Sequence, residues 1–422
     1  MVGPDWMPAP LRRRGRKPRV PIHHLLQALT FHVTQGAGTL AEHFWELFEE
    51  PLSDSSWGDR RRWLPWVVFA DLMRRALRPI ATRRHAPDAF WRGWRVLALD
   101  GTQYSVMNTP QVSATTTKAA TRRGRAAFAK VSVATLLEVG VHNPLAAAIG
   151  RQGESELALA RQLFAQLPTH AVLLADRLYG VPSVMSEVWT ASQRVGSHFL
   201  FRVPRHITAR VLAKLPDGSR RVRLNVRDKR RGGRITSHLD VREILVQVGR
   251  QGFRRHPLRL CTSLPDHQAA PALDLARLYA TRWEHELYFR NAKRVLRQTA
   301  VLQSHTVETG AQEIAAIILV TAMLARERMR AANGLVPVLR LKFGVVLAIV
   351  RSMWFYLGPL GDLLTEKQKR QVVQRSQALM RRSLTGPRRS RTNPRAVRQP
   401  VTKWPRLLQT NSIEGPVEFK LV

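Results

Sequence analysis

The stretch VLALD at residues 96–100 is apolar up to its last residue, and the stretch AVLLAD at residues 171–176 repeats the pattern. Each is short, and the first is followed by the turn residue Gly101. Short apolar runs bounded by turn signals predict buried β-strands. The two stretches therefore predict neighbouring strands that end in Asp100 and Asp176.

The segments around these two strands extend the pattern in a definite order. Further strands are predicted at 128–139, 145–149 and 198–203, and helices over 154–167 and after Val181. Three strands, a helix, a strand, a helix and a strand is the order of a ribonuclease H-like layer. The predicted fold class is therefore α/β, with a ribonuclease H-like (retroviral integrase-like) core.

Other textures flank and interrupt this core. Helical periodicity fills 21–80 and resumes at Asp274, whereas Val, Ile and Arg alternate between turn signals in the segment after residue 203. The predicted domains are a helical N-terminal DNA-binding domain (1–90), the first part of the core (91–203), a β-rich basic insertion (204–268), the rest of the core with the Glu286 helix (269–330), a C-terminal helical region (331–384) and a basic tail (385–422).

The third predicted N-terminal helix is strongly basic. It follows a run of serines that suits a helix cap, and it carries Arg60, Arg61 and Arg62. Three short helices of which the last is basic resemble a helix-turn-helix arrangement, so these arginines are expected to contact DNA. The alternative is a plain helical bundle with solvated arginines.

The overall charge indicates a polyanionic partner. The chain has 68 Lys and Arg residues against 30 Asp and Glu residues, which leaves a formal net charge of +38. Self-repulsion works against such an excess in a compact protein, and no lipid-anchoring signal stands out. Nucleic acid is therefore expected as the partner, and no membrane.

Cysteine usage and hydropathy bear on where the protein acts. Cys261 is the single cysteine, which excludes an internal disulfide and a Cys-based zinc site. The longest apolar stretch, 314–325, is about half of what a membrane crossing needs. With no secretion signal recognised, a bacterial cytoplasmic and nucleoid-associated location is expected.

Four residues of mixed chemistry recur at helical spacing near residue 280. Tyr279, Arg282, Glu286 and Lys293 are separated by steps of three, four and seven residues. On one continuous α-helix they would fall within a stripe roughly 60° wide. A carboxylate between cations suits work on a phosphodiester.

Three carboxylates are enough to hold two divalent ions about 4 Å apart, the arrangement that cleaves phosphodiesters without a protein nucleophile. Mg²⁺ prefers oxygen ligands, so a sparse acidic site is expected. Taken singly, each acid has an ordinary explanation. Asp100 suits a turn, Asp176 suits a helix cap, and Glu286 suits a solvated helix position with a basic partner.

Together these residues resemble the DDE transposases of bacterial insertion sequences, in the IS-four group. The signature of that group is Tyr, two residues, Arg, three residues, Glu, six residues, Lys, and Tyr279 to Lys293 has this spacing. The Asp-Gly-Thr context of Asp100 and the Asp-Arg context of Asp176 also match. A β-rich insertion between the second Asp and the Glu, and the Lys-Trp-Pro of the tail, complete the resemblance over about 16–407.

The resemblance implies cut-and-paste transposition of DNA. Asp100, Asp176 and Glu286 would bind two Mg²⁺ ions, with Mn²⁺ as a substitute. Water would attack at the transposon end, and the freed 3′-hydroxyl would then attack target DNA. Tyr279, Arg282 and Lys293 would contact the end strand. The implied partners are double-stranded DNA, both terminal inverted repeats and target, and a second copy of the chain, because two ends must be held.

Three questions stay open at this point. The chain is either an active transposase, a derivative that binds DNA but has lost catalysis, or another ribonuclease H-like nuclease. Some group members form a DNA hairpin and hold a flipped base against a Trp in the insertion, but 204–268 contains no Trp. Phe253 and His256 are the candidate substitutes, so the use of a hairpin is undecided. The terminal-repeat sequence and the target preference are also open.

Overall fold

The computed structural model describes residues 20–115, 120–121, 124–125, 128–228, 232–249, 255–299, 301–386 and 418–421. They form two compact units. The first unit takes the chain up to Ala171 together with Trp283–Leu384, and the second takes Val172–Arg282 together with the chain after Leu384. The N-terminal helices, the first strands and the C-terminal helices share the first unit.

The first unit begins with four helices, where three were predicted from the sequence. They are α1 (Ile22–His32), α2 (Leu40–Phe48), α3 (Asp54–Trp63) and α4 (Trp66–Ala76). Thr39 and Glu42 form a capping box at the start of α2, and the Ser53 hydroxyl caps α3. Their apolar faces belong to the same buried cluster as the long C-terminal helix described below. The N-terminal helices therefore do not have a separate core.

The sheet of the first unit is antiparallel. Its elements are β1 (Phe90–Trp91), β2 (Trp94–Ser105), α5 (Pro110–Thr115), β3 (Ala120–Thr121), β4 (Gly124–Arg125), β5 (Lys130–Glu138), β6 (Asn143–Ile149) and α6 (Glu156–Arg161). The ladder runs β6–β5–β2, with β1 paired to β2. The helix predicted over 154–167 is shorter than expected, ending at Arg161 before a 3₁₀ turn at Phe164–Gln166.

The expectation that Gly101 stops the first strand was wrong. β2 runs through this glycine, which pairs with Ala134, and continues to Ser105. A side chain at residue 101 would meet the Glu156 side chain, which would have to move, so Gly101 lies against a close neighbour and not in a turn. Asp100 therefore lies in the middle of a strand.

The second unit contains the remaining strands. Its elements are β7 (Ala171–Ala175), α7 (Pro182–Arg194), β8 (His198–Arg202), β9 (Ala209–Lys214), β10 (Arg220–Asp228), β11 (Arg234–Gly249), β12 (His256–Thr262), α8 (Ala272–Ala280) and β13 (Glu418–Leu421). β7 and β8 are parallel, and β8–β12–β11–β10–β9 is antiparallel. The insertion is β-rich as predicted, but it continues the sheet from β8 through β12.

The first unit resumes with helices. They are α9 (Trp283–Arg290), a π-helix (Asn291–Leu296), α10 (Val307–Ala332), α11 (Phe343–Leu357) and α12 (Glu366–Arg382). α10 is long and apolar enough to cross a membrane by length and composition, but 89% of its apolar window is buried inside the protein. It is a core helix, against which α1 and α4 also pack. Most of the predicted basic tail, and Phe253, lie outside the described residues.

Candidate active site

The four-residue stripe does not lie on one helix, which corrects the sequence-based expectation. α8 ends at Ala280, and the next two amides form i→i−3 hydrogen bonds, from Thr281 to Leu278 and from Arg282 to Tyr279, both 3.0 Å long. A new helix begins at Trp283. Tyr279 and Arg282 therefore belong to the second unit, and Glu286 and Lys293 to the first.

The strand β2 places Asp100 on a defined face of the first sheet. Side chains alternate along a strand, so Asp100, Thr102 and Tyr104 share one face. Asp100 lies directly opposite Thr135 of β5, and directly opposed residues project to the same side. The Oδ1 atom of Asp100 accepts a 2.9 Å hydrogen bond from the amide of Gly101.

Helix α9 packs on this face through buried contacts. Nε2 of His285 lies 2.6 Å from Oγ1 of Thr135, and both side chains are almost completely buried. The Tyr288 hydroxyl lies 3.0 Å from Oγ1 of Thr321 in α10. Glu286, which is half-buried, follows His285 directly in this anchored helix. The structure thus associates the helix of Glu286 with the strand pair that carries Asp100.

Glu284, the residue immediately before His285, makes a different contact. Its Oε2 atom lies 2.8 Å from Nε2 of the buried His142, just after β5. Nothing in the sequence pattern singles out this pair, because the two residues are far apart in the chain. Of the two acids at the start of α9, Glu284 is therefore engaged with a buried histidine.

Lys293 is bound to the same strand as Asp100. Its ammonium group donates hydrogen bonds to Oγ1 of Thr102 and, across 2.7 Å, to the carbonyl oxygen of Gln103. It also lies 4.9 Å from the centre of the Tyr104 ring, within cation–π distance. Burial, with smaller contributions from Arg297 and Lys130, lowers the pKa of Lys293 to about 8. Lys293 therefore loses its charge at a lower pH than an exposed lysine does.

The position of Lys293 depends on an unusual helix. Residues Asn291–Leu296 form a π-helix, and the amide of Arg297 bonds to the carbonyl oxygen of Ala292, five residues back, across 3.3 Å. A π-turn changes the angle between successive side chains, so the seven-residue step from Glu286 to Lys293 does not have α-helical geometry. Such bulges are frequent at functional sites.

Asp176 follows β7 in the second unit. Its Oδ1 atom accepts a 2.7 Å hydrogen bond from the amide of Leu178, which orders the tight turn after the strand. Four residues on, Gly180 lies against the carbonyl oxygen of Arg202, and a side chain there would collide with that backbone. The turn that carries Asp176 therefore rests closely on the end of β8.

Basic groups and a phenol surround Asp176 within the second unit. Burial and the nearby charge of Asp176 raise the pKa of Tyr279, to about 12, although Arg282 and Arg202 oppose the shift. Arg282 also donates a hydrogen bond to the Tyr279 hydroxyl. The phenol remains protonated at neutral pH, so it can donate a hydrogen bond to an anion such as a phosphate oxygen.

A basic groove of about 1170 Å³ begins at Asp176 and continues between β8, β11 and β12. Its apolar lining residues include Val203, Leu245 and Leu258. The basic side chains on its walls are Arg177, Arg202, Arg205, His206, His256 and Arg259. Arg259 is engaged in the fold, because it donates to Glu243 and to the carbonyl oxygen of Ile207. Of these basic residues, only His256 is predicted from the sequence to have a role, as a substitute for the missing Trp.

The three arginines of α3 occupy different environments. Arg61 donates one hydrogen bond to the carbonyl oxygen of Thr309, across 2.7 Å, and another to the hydroxyl of Ser304, across 3.0 Å. Arg60 donates to the carbonyl oxygen of Val20, and exposed Arg62 pairs with Asp59. Arg61 therefore joins α3 to the start of α10, which is a structural role that its sequence context did not reveal.

The donor chemistry of the three predicted acids suits Mg²⁺, since carboxylate oxygens are the ligands it prefers. The structure places Asp100 and Glu286 in the first unit and Asp176 in the second. Among the described residues, no group of three or more His, Cys, Asp or Glu side chains is close enough to hold a metal ion. Another carboxylate, that of Glu156, lies against Gly101, and adjacent strand positions face opposite sides. The strand thus presents Asp100 on the face of α9 and Gly101 on the face of Glu156.

A family model described as the transposase DDE domain matches residues 91–323, more than half of the chain. This chain belongs to the DDE transposase family. The matched residues include Asp100, Asp176 and Glu286, and the family confirms the resemblance drawn from the sequence. The DDE domain begins at the first sheet and ends within α10, so the four N-terminal helices lie outside the match.

Two individual proteins illustrate the relationship. This DDE family member is 26% identical over 277 residues to the transposase InsG for insertion sequence element IS4 of Escherichia coli (strain K12). The aligned region covers 63% of this chain and 60% of that relative. Among solved structures, the cryo-EM structure of the piggyBac transposase synaptic complex with hairpin DNA is similar with a TM-score of 0.43 and 8% identity. That match covers 87% of this chain and 78% of the other.

Proposed function

We propose that this DDE transposase moves an insertion sequence by a cut-and-paste mechanism. It hydrolyses the phosphodiester at the ends of the element and transfers the freed 3′-hydroxyl into target DNA. The observation that carries the proposal is the seating of the Glu286 helix on the face of β2 that presents Asp100, within the region matched by the DDE domain.

The order of elements supports a ribonuclease H-like core. An antiparallel set of three strands, β2, β5 and β6, comes first, then α6, β7, α7 and β8 in chain order. We assign the core to β2 through β8 with α9 as the helix of the third acid. The insertion from β9 to β12 and the N-terminal helices are then additions to this core.

We assign metal binding to Asp100, Asp176 and Glu286, and the ion to Mg²⁺, as a pair of ions that Mn²⁺ can replace. The support is the oxygen-only donor set and the family to which the chain belongs. When bound, such ions supply Lewis-acid stabilisation of charge on the attacking and leaving oxygens. Residues of the chain supply the remaining work, which is binding and orienting the DNA strand.

The two chemical steps balance at phosphorus. In the first, the oxygen of water forms a bond to phosphorus while the bond to the 3′-oxygen of the element end breaks, and that oxygen takes a proton. In the second, the same 3′-oxygen loses its proton and bonds to a target phosphorus, displacing a target 3′-oxygen. The number of phosphodiester bonds is conserved in this second step.

Cationic and hydrogen-bonding groups near the acids suit the substrate backbone. Arg282 can form a forked pair with a phosphate, and Tyr279 can donate from its protonated hydroxyl. Lys293 is a point charge hydrogen-bonded to the strand that carries Asp100. We assign the basic groove, with Arg202 and Arg205, to the continuation of the end strand, and exposed Arg62 with Arg60 to the N-terminal DNA contact.

The proposed partners are double-stranded terminal repeats, target DNA and a second copy of this chain, because a cut-and-paste reaction joins two ends. The proposed location is the bacterial cytoplasm, at the nucleoid. In the described residues the one helix that could cross a membrane is the core helix α10.

The test is cleavage of DNA that contains the inverted repeats flanking the reading frame, with Mg²⁺ and with EDTA. Asp100→Asn, Asp176→Asn and Glu286→Gln are expected to abolish cleavage while retaining binding of the repeats. Glu284→Gln is the matched control on the same helix, because an amide retains the hydrogen bond to His142, and it is expected to cut. Specific binding without cleavage under any metal would identify a catalytically inactive derivative. Cleavage without preference for ends would identify a different ribonuclease H-like nuclease.

A further inference from the structure

The hydrogen bond between Thr135 and His285 connects the two elements of the first unit that carry proposed metal ligands. Thr135 is the direct cross-strand partner of Asp100, and His285 immediately precedes Glu286. The distance between Oγ1 of Thr135 and Nε2 of His285 is 2.6 Å. Asp100 and Glu286 are thus connected through the strand pairing of Asp100 with Thr135, the hydrogen bond to His285 and the peptide bond that follows it.

Both members of this bond are held rigidly. His285 is 0% exposed and Thr135 is 1% exposed, so water does not compete for the hydrogen bond. The His285 ring packs against Phe289, with 4.7 Å between ring centroids, and against Tyr288 at 5.9 Å. A buried hydrogen bond between packed groups has few alternative geometries, and its loss leaves a polar atom without its partner.

We propose that Thr135 and His285 are positioning residues that set the placement of Glu286 relative to Asp100, and so the affinity of this carboxylate pair for a divalent cation. The inference rests on the proposed function, because it takes Asp100 and Glu286 as metal ligands. Neither Thr135 nor His285 needs to touch the metal or the DNA. Partners that orient metal ligands typically alter affinity by about 10-fold to 100-fold when they are removed.

The structure offers a matched control for this bond. Tyr288 lies in the same helix α9, and its hydroxyl bonds to Thr321 of α10 across 3.0 Å; both residues are also buried. Thr321→Val removes a hydroxyl from α9 packing just as Thr135→Val does. It does so on the α10 side, away from the strand pair that presents Asp100.

The experiment measures Mn²⁺ binding to the full chain without DNA, by the electron paramagnetic resonance signal of free Mn²⁺, together with the thermal midpoint of each variant. Thr135→Val is expected to raise the dissociation constant by about 10-fold to 100-fold, whereas Thr321→Val leaves it within about twofold of wild type. Thr135→Ser retains the hydroxyl and is expected to restore affinity. His285→Phe tests the same bond from the other side, and is decisive if Thr135→Val does not fold.

The outcomes separate this inference from the proposed function. Loss of Mn²⁺ binding in Glu286→Ala, with wild-type affinity in Thr135→Val and His285→Phe, would overturn the positioning role alone. Equal weakening by Thr321→Val would also overturn it, because the effect would then be general loosening of α9. A wild-type chain that binds no Mn²⁺ would overturn both the metal assignment and the inference.

Discussion

The Lys293 ammonium group donates a hydrogen bond to the carbonyl oxygen of Gln103 across 2.7 Å, three residues beyond Asp100 on the same strand. The contact is made from the π-helix that follows the Glu286 helix, and the hydroxyl of Thr102 completes it. The charged Lys293 side chain is thereby held against the strand that carries Asp100. Lys293 therefore links the π-helix after α9 to the strand β2.

Lys293 is expected to make the binding of element ends depend on pH. Its folded-state pKa of about 8 lies below the ordinary 10.5, so its charge is lost as pH rises through 8. The unfolded chain holds this proton more tightly than the folded protein does. The free energy of unfolding that depends on Lys293 therefore rises as the pH increases from about 8 to 10.5. Affinity for end DNA is expected to fall from pH 7 to pH 9, by at most about tenfold per pH unit.

Fluorescence anisotropy with labelled end duplex measures this dependence at constant ionic strength. Lys293→Arg keeps its charge across the range and is expected to flatten the profile, while Lys293→Ala is weak and flat. An identical slope in wild type and Lys293→Arg would assign the pH dependence to another group.

Replacement of Arg61 by alanine is expected to destabilise the fold far more than replacement of Arg62. Arg61→Ala removes the partly buried hydrogen bonds to Ser304 and Thr309. It is expected to lower the free energy of unfolding by about 2–4 kcal/mol. Arg62→Ala removes only an exposed ion pair with Asp59, worth less than about 1 kcal/mol. Urea unfolding measures the first effect.

The complementary measurement is the salt dependence of DNA binding. If Arg62 neutralises one phosphate, Arg62→Ala is expected to reduce the slope of log affinity against log salt by about one. A folded Arg61→Ala protein with wild-type stability would contradict the structural role given to Arg61.

Arg202 is expected to contribute to DNA binding from the basic groove. It lines the cavity that begins at Asp176 and acts electrostatically on Tyr279. Arg202→Ala is expected to weaken binding of end duplex by about tenfold, a typical loss for one charge-assisted hydrogen bond. Arg194→Ala, an exposed position at the end of α7 outside the groove, is the matched control. Equal effects of the two substitutions would show that only net charge matters.

Gly180→Ala is expected to impair cleavage more than binding. The new methyl group would collide with the carbonyl oxygen of Arg202, so the turn after Asp176 must shift. Displacement of a proposed metal ligand is expected to lower the cleavage rate at least about 100-fold and to raise the Mg²⁺ concentration needed. Gly58→Ala, with no atom within 4 Å of the added methyl group, provides the comparison. Normal cleavage by Gly180→Ala would remove the Asp176 turn from the site.

The elements nearest to the proposed acids were largely readable from local pattern. The apolar runs at 96–99 and 171–175 are buried strands because their apolar side chains exclude water on both faces. The order of strands and helices between Trp94 and Arg202 follows the same periodicities. The family could be recognised because Tyr279, Arg282, Glu286 and Lys293 have the spacing of its signature.

Spacing was a weaker guide to geometry. The step from Tyr279 to Arg282 contains neither Gly nor Pro, so nothing local signals the break between α8 and α9. No local signal marks the π-helical turn that contains Lys293 either, and its residues Ala292 and Leu296 are buried in the core of the first unit. Helix continuity is decided by tertiary contacts when intrinsic propensities are similar.

The sequence alone determined the residue chemistry of this protein, namely its three acids, its basic excess and its period-two and helical segments, because burial preference is written into each side chain. Only the tertiary structure decided which residues meet. It turned Arg61 inward to Ser304, joined the insertion to β8 through β12, and placed His285 on Thr135 opposite Asp100. These contacts join residues about 60 to 240 positions apart, and no local pattern encodes a partner at that separation.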